Sequence, residues 1–456
     1  MSELAALLPE GLFDAVEAAA GASVTAVRPR GGGGASREGA ELTLVWPDGR
    51  TADAYMNYDV HRAGAGDDAA FLREAAILRA LSGPFAGSGV QTARFIASIP
   101  ELRALVAEKV AGESNFQMLK GDPARRDAVA ADFMAQLAAL HRVDPHGVEG
   151  VPAPPSVRGE ILIRIAAIRE NNEATGNPVV RLAADWLEAN IPPEPERMVV
   201  VHGDAGPANF LFGGDRVTAL LDWELVHIGD PMADMAMIAL RMLFQPFVPL
   251  PQVFAAYEAA GGVKVDLARV RYWRLLFQAG FASRSRHDDP TAPPPPNLGM
   301  NMVYSMVHRR VLVEALAEAS GIVLPPVVMP DAPEGPNARS FAIALDDIRD
   351  MIVPRLSDQQ AAVKAKGLAR LVKWWRDIER FGPGFAAVEI AELSAALGKP
   401  FATLTEARAA LSDAVAAGTI DQPTAIRLCN AGVARDSALM ADAMGGLAKA
   451  SFAPLE

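Results

Sequence analysis

The fold of this chain turns on residues 198–224, MVVVHGDAGPANFLFGGDRVTALLDWE. An apolar run ends in the turn His202-Gly203-Asp204, and Asn209 follows in the same loop. Two further apolar runs, FLF and VTALL, flank Gly213-Gly214, a hairpin signal. Asp222 stands at the end of the returning run, so closing the hairpin carries it back toward Asn209.

A loop carboxylate, an amide and a second carboxylate suit phosphoryl transfer from a nucleotide, which demands an aligned hydroxyl and neutralised phosphate charge rather than covalent help. In that use Asp204 orients the hydroxyl and accepts its proton, while Asn209 and Asp222 give hard oxygen ligands to magnesium. Gly203 and Gly206 would let the loop backbone approach the transferred group. Plainer uses exist: Asp204 can cap a turn and Asn209 can occupy a left-handed position. Asp222 is harder to explain that way, because a bare carboxylate beside Trp223 in an apolar run is costly. The same three groups could instead act on water, as in a metal-dependent phosphoesterase.

HGDAGPANF followed by LLDWE resembles the catalytic motif of the aminoglycoside phosphotransferase and choline kinase-like family. The resemblance runs from about Arg28 to Ala319. It implies an α+β, protein kinase-like two-lobed fold, with a small sheet-rich N-lobe and a mostly helical C-lobe. It implies ATP- and magnesium-dependent transfer of the γ-phosphate to a small-molecule hydroxyl. Asp204 is then the catalytic base, His202 a structural member of the catalytic loop, and Asn209 and Asp222 the magnesium ligands. Asp230 and Asp234, in and after HIGDP, are expected to brace the loop and cap a helix.

Upstream, SVTAVRPR, ELTLVW and RTADAYMNYD are strand candidates, and DDAAFLREAAILRALSG has helical periodicity stopped by Gly83-Pro84. Further strands are expected over 91–97 and 104–110, giving a small sheet with one helix against it. Gly31 to Gly34 open a glycine-rich turn between the first two strands, where amides from Gly33, Gly34, Ala35 and Ser36 could hold phosphate and Arg37 could add charge. The resemblance implies that Glu74 pairs with a basic residue on the third strand, and that backbone of Ala107 to Lys109 faces the adenine. The chain departs from the pattern at one place. The phosphate-gripping base falls near Met56 or Asn57, and neither is charged. Arg62, Arg37 and Lys109 are the candidate substitutes; without one, the chain would be a weak or inactive nucleotide-binding module.

The 456 residues carry 43 Lys and Arg against 55 Asp and Glu, a formal net charge of -12, which argues against nucleic acid or an acidic membrane as partner. The single cysteine, Cys429, excludes an internal disulfide and fits a cytoplasmic setting. The first residues read as a short amphipathic helix rather than a signal peptide. Three divisions are expected: a nucleotide-binding lobe over 1–108, a catalytic and acceptor-binding lobe over 109–325, and a C-terminal helical domain over 338–456. The last resembles helical domains appended to some bacterial members of the family, and a homodimer through it is one expectation. Arg269, Arg271, Arg274, Arg284 and Arg286 lie among aromatic residues in the expected acceptor lobe, so the acceptor is expected to be acidic or coenzyme A-linked.

Overall fold

A computed structural model describes residues 3–30, 37–59, 68–285 and 297–456. Gly33, Gly34, Ala35, Ser36, Arg62, Arg286 and most of the proline tract lie outside these residues.

Five strands, β1 (Ser23–Arg30), β2 (Glu38–Val45), β3 (Thr51–Tyr58), β4 (Phe95–Ile99) and β5 (Ala104–Glu108), form an antiparallel sheet in the order β1-β2-β3-β5-β4. Alternation puts Leu42, Leu44, Ala54, Met56 and Val106 in one buried layer. Helix α1 (Leu12–Ala20) presents Leu12, Phe13 and Val16 to the same layer, so the opening helix is part of this core. A second helix, α2 (Ala69–Ser82), packs on β4 and buries Phe71, Ile77, Leu78 and Leu81. The sheet therefore carries two helices, one more than its sequence pattern suggested.

Beyond Gly112 the chain turns helical with α3 (Pro123–Leu140), α4 (Val157–Glu173) and α5 (Pro178–Ala189). Two small antiparallel pairs follow. β6 (Val199–Val201) pairs with β9 (His227–Gly229), and β7 (Phe210–Gly213) forms a hairpin with β8 (Arg216–Leu220) at the expected glycines. Helices α6 (Met232–Arg241), α7 (Leu250–Ala259), α8 (Leu267–Ser283) and α9 (Leu298–Ala319) follow. The arrangement is the two-lobed, kinase-like one, with a helical C-terminal region added.

That region contains α10 (Ala338–Asp346), α11 (Gln359–Leu397), α12 (Leu404–Ala416), α13 (Gln422–Leu439) and α14 (Ala441–Met444). After α10 the helix widens into a π-helical segment, Asp347–Ile352, and a short turn containing Pro354 ends it. Helix α11 runs for 39 residues straight through Pro383, where sequence pattern alone suggested two helices. An internal proline costs roughly 3 kcal/mol. Burial of Leu371 before it and of Phe385 and Leu393 after it, each contributing about 1.5–3 kcal/mol, outweighs that cost.

The chain divides into two compact units. One holds Met1–Val157, Glu194–Val270 and Ala453–Glu456; the other holds Arg158–Pro193 and Arg271–Phe452. The sheet, both small strand pairs and the HGD loop belong to the first. No helix among the described residues is long and apolar enough to cross a membrane.

Candidate active site

The loop between β6 and β7 is held open from below by Asp234, on the first turn of α6. Its carboxylate accepts the backbone N–H groups of His202 and Gly203, each at 2.8 Å. His141 meets the same carboxylate at 3.0 Å and Tyr257 at 2.6 Å, extending the buried network. Burial works against the charge on Asp234, yet hydrogen bonds from His141 and Gly203 hold its carboxyl below the usual carboxylate range. Asp230 accepts the N–H of Met232 and pairs with Arg269. Both aspartates brace the loop and the start of α6.

The far end of α6 supplies Arg241. Its guanidinium donates to Asp204 Oδ1 at 2.6 Å, to Asn209 Oδ1 at 3.1 Å and to the Pro207 carbonyl at 3.0 Å. Asn209 Nδ2 in turn donates to Asp204 Oδ2 at 2.7 Å and to the Asp204 carbonyl at 2.9 Å. The Leu221 N–H donates to the Asn209 carbonyl at 2.9 Å, which fixes the residue before Asp222 against the loop. Asp204, Asn209 and Asp222 are thus brought to one place. Ala208 and Asp222 adopt left-handed backbone, φ 71° and 62°, a conformation that costs non-glycine residues on the order of 1 kcal/mol or more.

Gly203 lies at φ 85°, and a Cβ there would sit 2.2 Å from the Leu225 carbonyl oxygen. A Cβ on Gly206 would meet Arg241 Cδ at 2.8 Å. Both glycines therefore make room for the protein's own groups, a reason different from the close approach to a transferred phosphate read from sequence.

His202 is buried against Trp223, ring centroids 4.5 Å apart, and its Nδ1 accepts the Asp204 N–H at 3.3 Å. Burial pushes its pKa down, so the ring is neutral at pH 7 and shapes the loop.

Asp222 sits in a surplus of negative charge. Its pKa is pushed up to about 6 by burial, with Glu224, Asp204 and Glu74 adding to the rise and Arg37 opposing it. Carboxylates crowded in this way suit a hard divalent cation. Among the described residues no three His, Cys, Asp or Glu side chains form a metal cage. Two protein oxygens leave room for the waters and phosphates that magnesium ordinarily keeps.

The Glu74 partner is not on β3. Arg37, immediately before β2, donates to Glu74 at 2.5 Å and lies 3.6 Å from Glu224. Burial alone would lower the Arg37 pKa, but Glu74, Glu224 and Asp222 together raise it. Met56, at the position where the base was sought, is fully buried in the sheet core. Lys109 turns its side chain to Glu41 at 3.0 Å and its N–H to the Asp53 carbonyl at 2.9 Å. Ala107 is paired in the sheet with Tyr55 and Phe95. The adjacent Val110 N–H makes no hydrogen bond to any described residue.

Sequence reasoning passed over Arg241 and Glu224. The signal for Arg241 was available: a basic residue interrupting the apolar face of α6 seven residues after Asp234. The arginines of α8 go the other way. Arg269 pairs with Asp230, and Arg271 and Arg274 share Glu318, so each of the three guanidinium groups is engaged by a carboxylate within the protein.

Residues 58–273 match the model of the phosphotransferase enzyme family. Over 161 residues, 34% of this chain, identity to rat Acyl-CoA dehydrogenase family member 11 is 29%, covering 20% of that protein. Over 131 residues, 27% of this chain, identity to the chicken protein of the same name is 32%, covering 16% of it. The chain thus spans a fifth or less of the length of these relatives. A crystal structure from Ralstonia eutropha, provisionally assigned as an aminoglycoside phosphotransferase, superposes with a TM-score of 0.51 at 20% identity, covering 68% of this chain and 98% of that one. That likeness bears on the fold alone, and the C-terminal region lies outside the family match. Homology to the phosphotransferase enzyme family thus covers residues 58–273, just under half of the chain, and a helical region follows it.

Proposed function

We propose that the chain is a small-molecule kinase, transferring the γ-phosphate of ATP to a hydroxyl group with magnesium bound at Asn209 and Asp222. The supporting observation is the hydrogen-bonded convergence of Asp204, Asn209 and the Leu221–Asp222 turn, faced by the Arg37–Glu74 pair. Magnesium ATP, when bound, supplies the phosphoryl group and screens its charge. Asp204 orients the acceptor hydroxyl and takes its proton, while Arg241 fixes that carboxylate. The Asn209 amide oxygen has a second lone pair, so it can face the cation while still accepting from Arg241. Asp222 gives the second oxygen ligand. Arg37 takes the phosphate-gripping role that Met56 cannot fill, and the Val110 N–H is the free donor for the adenine edge.

The acceptor panel follows from the comparisons. The curated relatives are named for acyl-CoA dehydrogenases, so hydroxyacyl-coenzyme A thioesters belong on it beside simple alcohols and sugars. Phosphate transfer from labelled ATP to one member of that panel, falling at least a hundredfold in Asp204→Asn while nucleotide affinity holds, is the expected result. A second reading, a nucleotide-binding module with little turnover, is favoured by the uncharged and buried Met56. Saturable magnesium-ATP binding with no transfer to any acceptor would establish it over the kinase.

A further inference from the structure

The helical unit contains a half-open cavity of about 270 Å³ that has no part in the chemistry above. The start of α5, helix α9 and helices α11, α12 and α13 enclose it. One wall is apolar: Val179, Leu312, Leu411, Leu428 and Val433. The other is a chain of charges. Arg408 on α12 donates to Glu389 on α11 at 2.6 and 3.0 Å, and to Asp436 on α13 at 2.9 and 3.2 Å. Arg309 on α9 adds one bond to Asp436 at 3.1 Å.

The donor balance of this wall is uneven. Both oxygens of Glu389 and both of Asp436 are already bonded by Arg408, so the cavity offers a ligand no free carboxylate. The remaining N–H groups of Arg309 have no hydrogen-bond partner among the described residues. Behind Glu389, the buried Nη1 of Arg435 makes no hydrogen bond and stands 3.7 Å from that carboxylate. The open valence of the cluster is thus on its arginines, which favours an anion with planar, paired oxygens. Cys429 also lines the cavity, but burial, with Glu389 adding, pushes its thiol up to about 12. It stays protonated and acts as an apolar surface, which removes a redox use of the site.

We propose that this cavity binds a small amphipathic monocarboxylate, its head on Arg309 and its hydrocarbon end against Leu312, Leu411, Leu428 and Val433. At about 30 Å³ per water-sized group, the space holds roughly nine non-hydrogen atoms, the size of a six- to eight-carbon acid. The class is set by charge and volume together: a shorter acid leaves the apolar wall unfilled, and an amine finds the Glu389 and Asp436 carboxylates already bonded by Arg408.

Isothermal titration of the full chain with butyrate, hexanoate, octanoate and decanoate tests this, with hexylamine and hexanol as controls. Affinity should rise about fourfold per added methylene up to hexanoate or octanoate and then stop rising. Arg309→Gln should weaken hexanoate at least tenfold, and Leu411→Trp, which fills the apolar end, should abolish binding. The absence of saturable carboxylate binding, or hexanol or hexylamine binding as tightly as hexanoate, overturns the proposal. So does an unchanged affinity in a folded Arg309→Gln. The chain-length series uses unmodified protein and is decisive even where a variant fails to fold.

Discussion

Arg37 meets Glu74 across 2.5 Å although it stands before β2, while β3, the strand that should carry the base, has no basic residue. The glutamate on α2 has a basic partner, and that partner comes from the residue just before β2. Arg37, one of the three candidate substitutes, also precedes the segment matched to the family model.

Replacing Arg37 by Gln leaves the buried Glu74 without its hydrogen-bonded cation and removes a positive charge that acts on Asp222. Charge-assisted hydrogen bonds contribute about 1.5–3 kcal/mol. Magnesium-ATP affinity should therefore fall roughly ten- to hundredfold, with Arg37→Lys recovering part of it. Fluorescent-nucleotide titration measures this, and an unchanged affinity would remove Arg37 from the nucleotide site.

Arg241→Met breaks the bonds to Asp204, Asn209 and Pro207 together. Turnover should drop about ten- to a thousandfold, with a smaller loss of magnesium-nucleotide affinity, because the lost bonds position the proposed base Asp204 as well as the proposed magnesium ligand Asn209. Steady-state kinetics that instead show a raised nucleotide KM at normal kcat would place Arg241 in binding rather than in loop geometry.

Gly203→Ala should destabilise the first unit by about 2 kcal/mol or more. A left-handed alanine costs roughly 1–2 kcal/mol, and its Cβ would overlap the Leu225 carbonyl. Urea unfolding of the variant checks this. A midpoint equal to that of the unmodified protein would show that the loop has another accessible conformation.

His308 offers a pH test in the second unit. Burial lowers its pKa from 6.5 to about 4. The unfolded chain therefore takes up a proton at His308 below pH 6.5 that the folded chain refuses until near pH 4. Stability is intact above pH 6.5 and falls as pH drops through that window, by up to roughly 3 kcal/mol. His308→Gln should flatten the decline in urea midpoint between pH 7 and pH 5. An identical slope in the variant would assign the acid sensitivity to other groups.

The sequence was most informative where periodicity and turn chemistry agreed. β1, α2 and the β7–β8 hairpin follow directly from alternation, helical spacing and paired glycines, and the spacing of Asp204, Asn209 and Asp222 foretold their meeting. What escaped was set by distant contacts. The partner of Glu74 depends on how the turn before β2 folds over the sheet. The continuity of α11 through Pro383 depends on packing along both halves of the helix. The arginines of α8 looked like a surface for an acidic acceptor because Glu318, which two of them share, lies some forty-five residues later in the chain. Helix α13, which lines the carboxylate cavity, carried no motif at all.

Helix α6 holds the HGD loop at both ends, Asp234 gripping its backbone amides and Arg241 its two polar side chains. Seven residues, close to two helical turns, place both contacts along one side of the helix, so it works as a ruler for the reacting groups. Its buried face, Met235, Ile238 and Ala239, is then under catalytic constraint while touching no reactant. Substitutions there that keep hydrophobicity but change volume should be read first in reaction rate, and only second in thermal stability.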